Sequence, residues 1–407
     1  MSPSPVAAAE RLESLDVLRG FALLGILAMN IRMMAAPFGT YFYPYGLWEF
    51  EGANRAAYQF TAVFFDLKMM GLFSMLFGAG VLLYAGKGGA AGAPTTGLWF
   101  RRMGWLLVIG LLHAYLIWNG DILVPYALCG LLVLWWVRAW SPRTLLIAGL
   151  AMLTIGALLN AGQALAWDGM SEADRADQIE LMSPTPAQAR QQLAQMQGDY
   201  LEIVAGRAPM VALGQSIYFA IFFLWRCGGM MLVGMALFKW GFLTGERAPA
   251  FYARAAALCL PIGVALSSYG FTALESVGFA MPVRAGADSW NYVGAIFTST
   301  GYAAMLLYAI ATGRFAALRR RLAAVGQMAF TNYLSHSVIT AVLFLGWGLG
   351  LAGRLDYAQQ LLVVVAIWIL QLLVSPLWLA RFRFGPAEWL WRSLTYWQWQ
   401  PMRRAAA

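Results

Sequence analysis

Apolar runs, each close to the ~20 residues a bilayer crossing needs, alternate with short polar stretches along almost the whole chain. Ten runs are expected to be helices, at 14–36, 59–85, 98–118, 121–139, 144–166, 211–238, 251–273, 290–312, 323–347 and 358–380. Residues 211–243 are apolar almost throughout, so the sixth helix is either longer or broken. A membrane β-barrel would show short alternating segments instead. The fold class is therefore all-α: a polytopic transmembrane helical bundle forming one integral membrane domain over 1–407. The longest polar interval, 167–210, is an outer-side insertion with Pro184, Pro186 and a helix-like run, AQARQQLAQMQGDYLEIVAG. It either caps an outer cavity, contacts a partner or is a solvated loop with one surface helix. No internal repeat is visible, which disfavours an inverted-repeat transporter.

Composition supports this picture. Of 407 residues, 61% are hydrophobic and 12% charged, about half the charged share of soluble domains. Mean hydropathy is +0.63 and the pI about 9.6. With the N-terminus inside, 19 of the 28 lysines and arginines fall at cytoplasmic ends and loops and 7 at the outer side. That bias places both termini in the cytoplasm, and it accounts for the net charge of +9 without nucleic acid. Cys129, Cys227 and Cys259 lie in apolar segments without metal spacing, as small core residues rather than a disulfide framework. Arg11 and Arg19 precede the first apolar run as in a signal peptide, but no small-residue cleavage site follows, so this run is expected to be a retained helix. P-loop, zinc and dinucleotide patterns are absent.

Polar side chains inside apolar runs cost about 3 kcal/mol each on insertion scales when charged, so each needs a reason. In the first run Asp16, Arg19 and Asn30 lie within about 60° of one another on a helical wheel, beside Leu23 and Leu27. Asp16 and Arg19 are spaced to pair at i,i+3, and Asn30 either ties helices together or lines a site. The stretch GLLHAYLIWNGDILVPYALCG (110–130) holds His113, one of only two histidines, with Asn119, Gly120 and Asp121 in a short outer turn. Asp121 is placed to cap the next helix and to orient a neighbour. His113 is either a satisfied core histidine or a group that takes and returns a proton. Asn332, His336 and Thr340 form a stripe at i, i+4, i+8. His336 lies at a depth similar to His113, so the two either share a cavity or His336 bonds helices together. Arg226 is expected near mid-membrane on one face with Gln215, to meet a phosphate, Asp66, Asp121 or another structural counter-ion. The glycine-rich stretches GLFSMLFGAG (71–80) and GGMMLVGMALFKWG (228–241) permit close packing and allow, without requiring, a homodimer.

Several segments together resemble the YeiB-like group of bacterial inner-membrane proteins, also called domain of unknown function 418. They are LDVLRGFALLGILAMNI (15–31), LFSMLFGAG (72–80), GLLHAYLIWNGDILVPYALCG (110–130), WRCGGMMLVGMALFKWGFL (225–243), GQMAFTNYLSHS (326–337) and FGPAEWLWRSLTYWQWQPMR (384–403). The last, within 381–407, suits a basic aromatic tail at the cytoplasmic interface. The resemblance implies membership of a superfamily of transmembrane acyltransferases that includes the lysosomal heparan-glucosamine acetyltransferase. Asp16, Arg19, Gly20 and Asn30 match the motif of that enzyme's first span. Its key histidine, eleven residues after the Asn, corresponds here to Tyr41, and 31–58 contains no histidine. Either His113 replaces it from another helix, or the chemistry has changed or been lost.

The resemblance implies that acyl-CoA, most simply acetyl-CoA, serves as co-substrate from the cytoplasm. The acceptor would be a small molecule or glycan, offering a hydroxyl or amine at the outer side. Arg101 and Arg102 would draw the phosphates, with Arg19, Arg226, Asn119 and Asn332 as further binding groups. Arg102 and His113 lie about 20° apart on one helix face and roughly 16 Å apart along it. His113 would act as base or carry the acyl group. Asn30 would hold the oxyanion or substrate, and Asp121 or His336 would orient or relay protons. The competing functions are a proton-coupled transporter of a small solute, using the same groups as a relay, and a non-catalytic scaffold.

Overall fold

In the computed structural model, residues 12–86, 95–167 and 169–404 are described. Arg11 and Lys87, both counted in the charge bias, lie outside them. The described chain is helical, its one β pairing being an isolated antiparallel bridge between Phe382 and Arg403. The helices are α1 (Glu13–Ala35), α2 (Gly52–Phe64), α3 (Lys68–Gly86), α4 (Thr95–Leu112, continued by a π turn His113–Ile117), α5 (Leu123–Val137) and α6 (Pro142–Trp167). Next come α7 (Glu172–Met182), α8 (Pro186–Met196), α9 (Tyr200–Lys239), α10 (Pro249–Ser276) and α11 (Met281–Ala311). The chain closes with α12 (Ala316–Gln327), α13 (Ala329–Phe344), α14 (Tyr357–Arg381) and α15 (Pro386–Tyr396).

Eight helical segments among the described residues are long and apolar enough to cross a membrane, α2 and α3 counting together. The other two expected crossings are α5, which is shorter, and the α12–α13 pair, which is broken at Met328. The sixth crossing is the long one: α9 runs 40 residues, through a π-helical stretch at Gly214–Phe223. The chain is a multi-pass membrane protein.

The connections sort onto two ends. At one end Ser14 Oγ donates to the Thr244 carbonyl (3.3 Å), Arg319 meets Glu13 (3.4 Å), and Lys239 donates to the carbonyls of Arg138 (2.9 Å) and Trp140 (2.6 Å). At the other, Gly353 N–H donates to Ala35 O (2.9 Å), Tyr200 O–H to Leu116 O (3.0 Å), and Arg55 pairs with Glu275 (2.5 Å). The start of α1 and helix α15 line the same cavity, so the two ends of the described chain lie near each other.

The polar insertion holds two surface helices, not one. Thr185 with Gln188 and Asp199 with Glu202 form capping boxes. The second box stops the expected helix after Met196 and starts α9 at Tyr200. Gln197 then donates to Gly350 O and Ala352 O, both at 3.3 Å, and so lays α8 over the loop after α13.

α1 is the most buried crossing, with its Asp16 and Arg19 paired to one another. It touches α3, α12, α13 and α14. Its contact with α12 depends on two glycines without side chains: a Cβ on Gly20 would lie 2.0 Å from Leu322 O, and one on Gly326 would lie 1.9 Å from Asp16 O. The two glycine-rich stretches meet likewise inside the chain. A Cβ on Gly78 would come within 2.0 Å of Met231 O, and one on Gly234 within 2.1 Å of Met75 O. These faces are consumed by α3–α9 packing.

Breaks in the helices are closed by side chains, as backbone polar groups within a membrane require. At the α2–α3 break, Leu67 takes a left-handed φ of 60°. Lys68 Nζ there donates to Ala62 O (2.9 Å) near the end of α2. At Met328, Glu388 accepts from the N–H groups of Phe330 (2.6 Å) and Thr331 (3.2 Å), and from the Thr331 hydroxyl (2.5 Å). Asn332 donates to Val325 O (3.2 Å) on the other side of the break. Burial pushes the Glu388 carboxyl above its usual pKa, against the pull of these hydrogen bonds.

Because the clash at Gly326 is with backbone, Gly326→Ala should destabilise the bundle by about 1–3 kcal/mol. Gly104→Ala, where nothing lies within 4 Å of the new Cβ, should be tolerated. Apparent melting temperatures in detergent check both, and equal values for the two variants would contradict the packing described.

Candidate functional site

The apolar hairpin of α4 and α5 holds its polar groups at the turn. The last turn of α4 is π-helical, beginning at His113, and Trp118 leaves it in extended conformation. The chain then turns back through Asn119 and Gly120 into α5. That return brings Asp121 Oδ1 to 2.7 Å from His113 Nδ1. The other carboxylate oxygen accepts from Val124 N–H at 2.8 Å, at the start of α5. Asp121 thus caps a helix and orients an imidazole at once. From α13, Ser337 Oγ reaches His113 Nε2 at 2.9 Å. Both His113 and Ser337 are 1% exposed. With the carboxylate ionised and the imidazole neutral, Nδ1 carries the proton and Nε2 accepts from the serine hydroxyl. A carboxylate, imidazole and hydroxyl in this order can take a proton at Nε2 while the carboxylate stabilises the imidazolium.

Beside this chain lies a cavity of about 350 Å³. Leu12, Tyr84 and Tyr396 place one end of it at the side of the chain termini, where Arg19, Arg102 and Arg392 also line it. Its walls, including Leu23, Ile26, Phe73, Phe77, Leu106 and Leu123, are apolar. Arg102 stacks 3.6 Å from the Trp391 ring centroid, and Trp391 Nε1 donates to Arg102 O (2.9 Å), so α15 sets the arginine's position. Arg19 pairs with Asp16 at 3.1 Å. Tyr333 belongs to both features: it lines the cavity, and its ring centroid is 5.3 Å from that of His113. Its phenol oxygen accepts from Ile122 N–H at 3.2 Å.

Of the expected site residues, Arg19 and Arg102 line this cavity; His113 and Asp121 pair with each other outside its lining, with Tyr333 between His113 and the cavity. The structure sends the other expected site residues elsewhere. His336 Nε2 bonds Gln371 Oε1 (2.8 Å) on α14, and Asn332 bonds Val325 O and Ser375 Oγ (3.1 Å). The two histidines therefore have separate partners, and neither His336 nor Asn332 lines the cavity. Asn30 is half-buried outside the cavity. Asn119 faces Met210 Sδ at 3.3 Å. Arg101 donates to Thr395 O (3.3 Å) and lies over Trp397, apart from the cavity lining. Arg226 is fully buried and, among the described residues, pairs with no carboxylate: it donates to Tyr292 O (2.9 Å) and lies 4.4 Å from that ring's centroid.

Asp66, one expected partner of Arg226, sits in a second polar cluster at the α2–α3 break. It accepts from Tyr41 O–H (2.7 Å) and Asn291 Nδ2 (3.0 Å), while Lys68 donates to Asn291 Oδ1. Burial and the Asp66 charge push the Tyr41 phenol well above its usual pKa. Among the described residues no group of three or more His, Cys, Asp or Glu side chains is placed to hold a metal ion.

Sequence reasoning missed Ser337, Tyr333, Glu388 and Arg392. Ser337 carried only a weak signal, a hydroxyl beside His336 in LSHS. Arg392 and Glu388 sit in the aromatic tail, whose return against α4 and α13 is a tertiary contact.

A bundle of apolar helices with a buried imidazole chain, beside a cavity lined by three arginines and the carboxylates of Asp16 and Glu388, defines a polytopic membrane protein with a candidate reaction or binding centre. Residues 237–398 match the family described as "Protein of unknown function (DUF418)". The chain is 31% identical to "Uncharacterized protein YxaH" of Bacillus subtilis (strain 168), over 99% of this chain and 98% of that one. It is also 31% identical to "Uncharacterized protein YeiB" of Escherichia coli (strain K12), over 95% and 96%. The chain belongs to the DUF418 family.

Asp121→Asn keeps an acceptor for Val124 N–H, whereas Asp121→Ala removes it. The alanine variant should lose about 1–2 kcal/mol more stability than the asparagine variant. Thermal unfolding of the two in one detergent checks this. Equal losses would mean that the carboxylate does not cap α5.

Proposed function

We propose that the protein is a transmembrane acyltransferase of the bacterial inner membrane, with both termini cytoplasmic. It moves an acyl group, most simply acetyl, from cytoplasmic acyl-CoA to an acceptor hydroxyl or amine at the outer side. The observation that carries this reading is the position of His113. It is held between Asp121 and Ser337 at 2.7 and 2.9 Å, one aromatic ring away from a cavity with arginines at its far end.

The physical division of labour follows the lining. Guanidinium groups bind phosphates through charge-assisted hydrogen bonds, and Arg102 and Arg392 serve the CoA end. The apolar walls exclude water and admit the uncharged arm and acyl group. His113 Nε2 takes a proton from the attacking hydroxyl or amine, and the Asp121 carboxylate stabilises the cation that forms. Low dielectric around the pair strengthens that stabilisation.

Purified protein in nanodiscs should bind labelled acetyl-CoA and turn it over slowly without acceptor. His113→Ala should lower turnover by roughly 10²–10⁴-fold while binding persists. Arg102→Ala should weaken binding roughly tenfold or more. Wild-type protein that binds neither acetyl-CoA nor longer acyl-CoAs would refute the proposal, and solute-flux assays would then test transport.

A further inference from the structure

We propose that Ser337 is a covalent acyl carrier: the acyl group rests on its Oγ between donor and acceptor. This inference rests on the acyltransferase reading above and names the residue that links its two half-reactions.

The hydrogen-bond pattern of α13 singles Ser337 out. Serine and threonine hydroxyls inside helices ordinarily donate to the carbonyl three or four residues back. Here Ser335 donates to Asn332 O (2.8 Å) and Thr340 to His336 O (2.7 Å). Ser74, Ser216 and Thr298, in other helices, do the same. Ser337, amid these, hydrogen-bonds His113 Nε2 instead, and with a neutral Nδ1–H imidazole its hydroxyl is the donor. A fully buried serine with its proton directed at an oriented imidazole is the arrangement that activates a hydroxyl as nucleophile. One turn before it on α13, Tyr333 faces the cavity. Its phenol oxygen accepts from Ile122 N–H, and its own proton makes no hydrogen bond among the described residues. That O–H is available to an oxyanion forming beside Ser337.

Position supplies the reason for a carrier. The cavity approaches from the side of the chain termini, and the His113–Asp121 turn lies toward the opposite end. Donor and acceptor enter from two sides of a ~30 Å hydrocarbon layer, and an acyl-serine between them lets them reach the same point in turn rather than together. In the first, Oγ attacks the thioester carbonyl carbon as its proton passes to His113 Nε2. The C–S bond then breaks, and the proton leaves with the CoA thiol. In the second, the acceptor hydroxyl or amine attacks the serine ester and gives its proton to Nε2. The bond from carbonyl carbon to Oγ breaks, and Oγ regains the proton.

The test is acid-quenched peptide mass spectrometry of the full chain in nanodiscs after incubation with acetyl-CoA, and separately octanoyl-CoA, without acceptor. The expected result is an acyl adduct on Ser337 in wild type, its absence in His113→Ala, and at least a 100-fold loss of acyl-CoA turnover in Ser337→Ala. Ser337→Cys should give a thioester adduct that neutral hydroxylamine removes. Normal turnover in S337A, with H113A inactive, would overturn the carrier and leave the acyltransferase reading standing. Lost turnover in S337A with no adduct on either wild type or S337C would also overturn it, making Ser337 a positioning residue. No turnover by wild type with either thioester would overturn both readings.

Discussion

In a chain that crosses a membrane, every backbone N–H and C=O freed by a break needs a partner from the protein itself. Three interruptions in this bundle meet that demand with charged side chains whose sign suits the helix end they serve. Lys68 donates to a carbonyl at the end of α2, Asp121 accepts from an N–H at the start of α5, and Glu388 accepts from two N–H groups at the start of α13. Each of these groups has a second attachment. Lys68 reaches Asn291, Asp121 reaches His113, and Glu388 lines the cavity. The same constraint that lets the helices break thus places the molecule's polar chemistry.

α1 makes that arrangement rigid. It is the most buried crossing, and glycines at its crossing with α12 bring the two backbones together. Its Arg19, Leu23 and Ile26 form one wall of the cavity. The opposite wall comes from α4, locked by α15 through the Arg102–Trp391 contact. Cavity and imidazole chain therefore depend on helices far apart in sequence. The proposed reaction uses this layout directly: a cation-lined approach from one side, an apolar passage, and an imidazole behind Tyr333.

Polar groups that looked alike in one dimension have separated into two kinds. His336 and Asn332 tie α13 to α14 and close the Met328 break, an interhelical bonding role. His113 has a carboxylate on one nitrogen and a hydroxyl on the other, an arrangement that can move a proton. Arg226 lies against a carbonyl and an aromatic face, so its charge is held by dipoles and a ring quadrupole rather than by Asp66 or Asp121.

Hydrophobic periodicity by itself determined the class and the places of the eight long apolar crossings among the described residues, since burial in lipid depends on local composition. It marked His113 and Asp121 as costly and near one another, because a short turn joins them. It did not show that Ser337, 224 residues further on, meets that imidazole. Nor did it show that Arg392 joins Arg19 and Arg102 around one cavity. The breaks at Phe65–Leu67 and Met328 were also invisible, because an apolar run reads as continuous whether or not its helix is. Those features depend on which helix faces which, and helix contacts in a membrane are decided by close packing and hydrogen bonds between distant segments. A single apolar run looks the same whichever neighbour it meets, so only the tertiary structure could decide them.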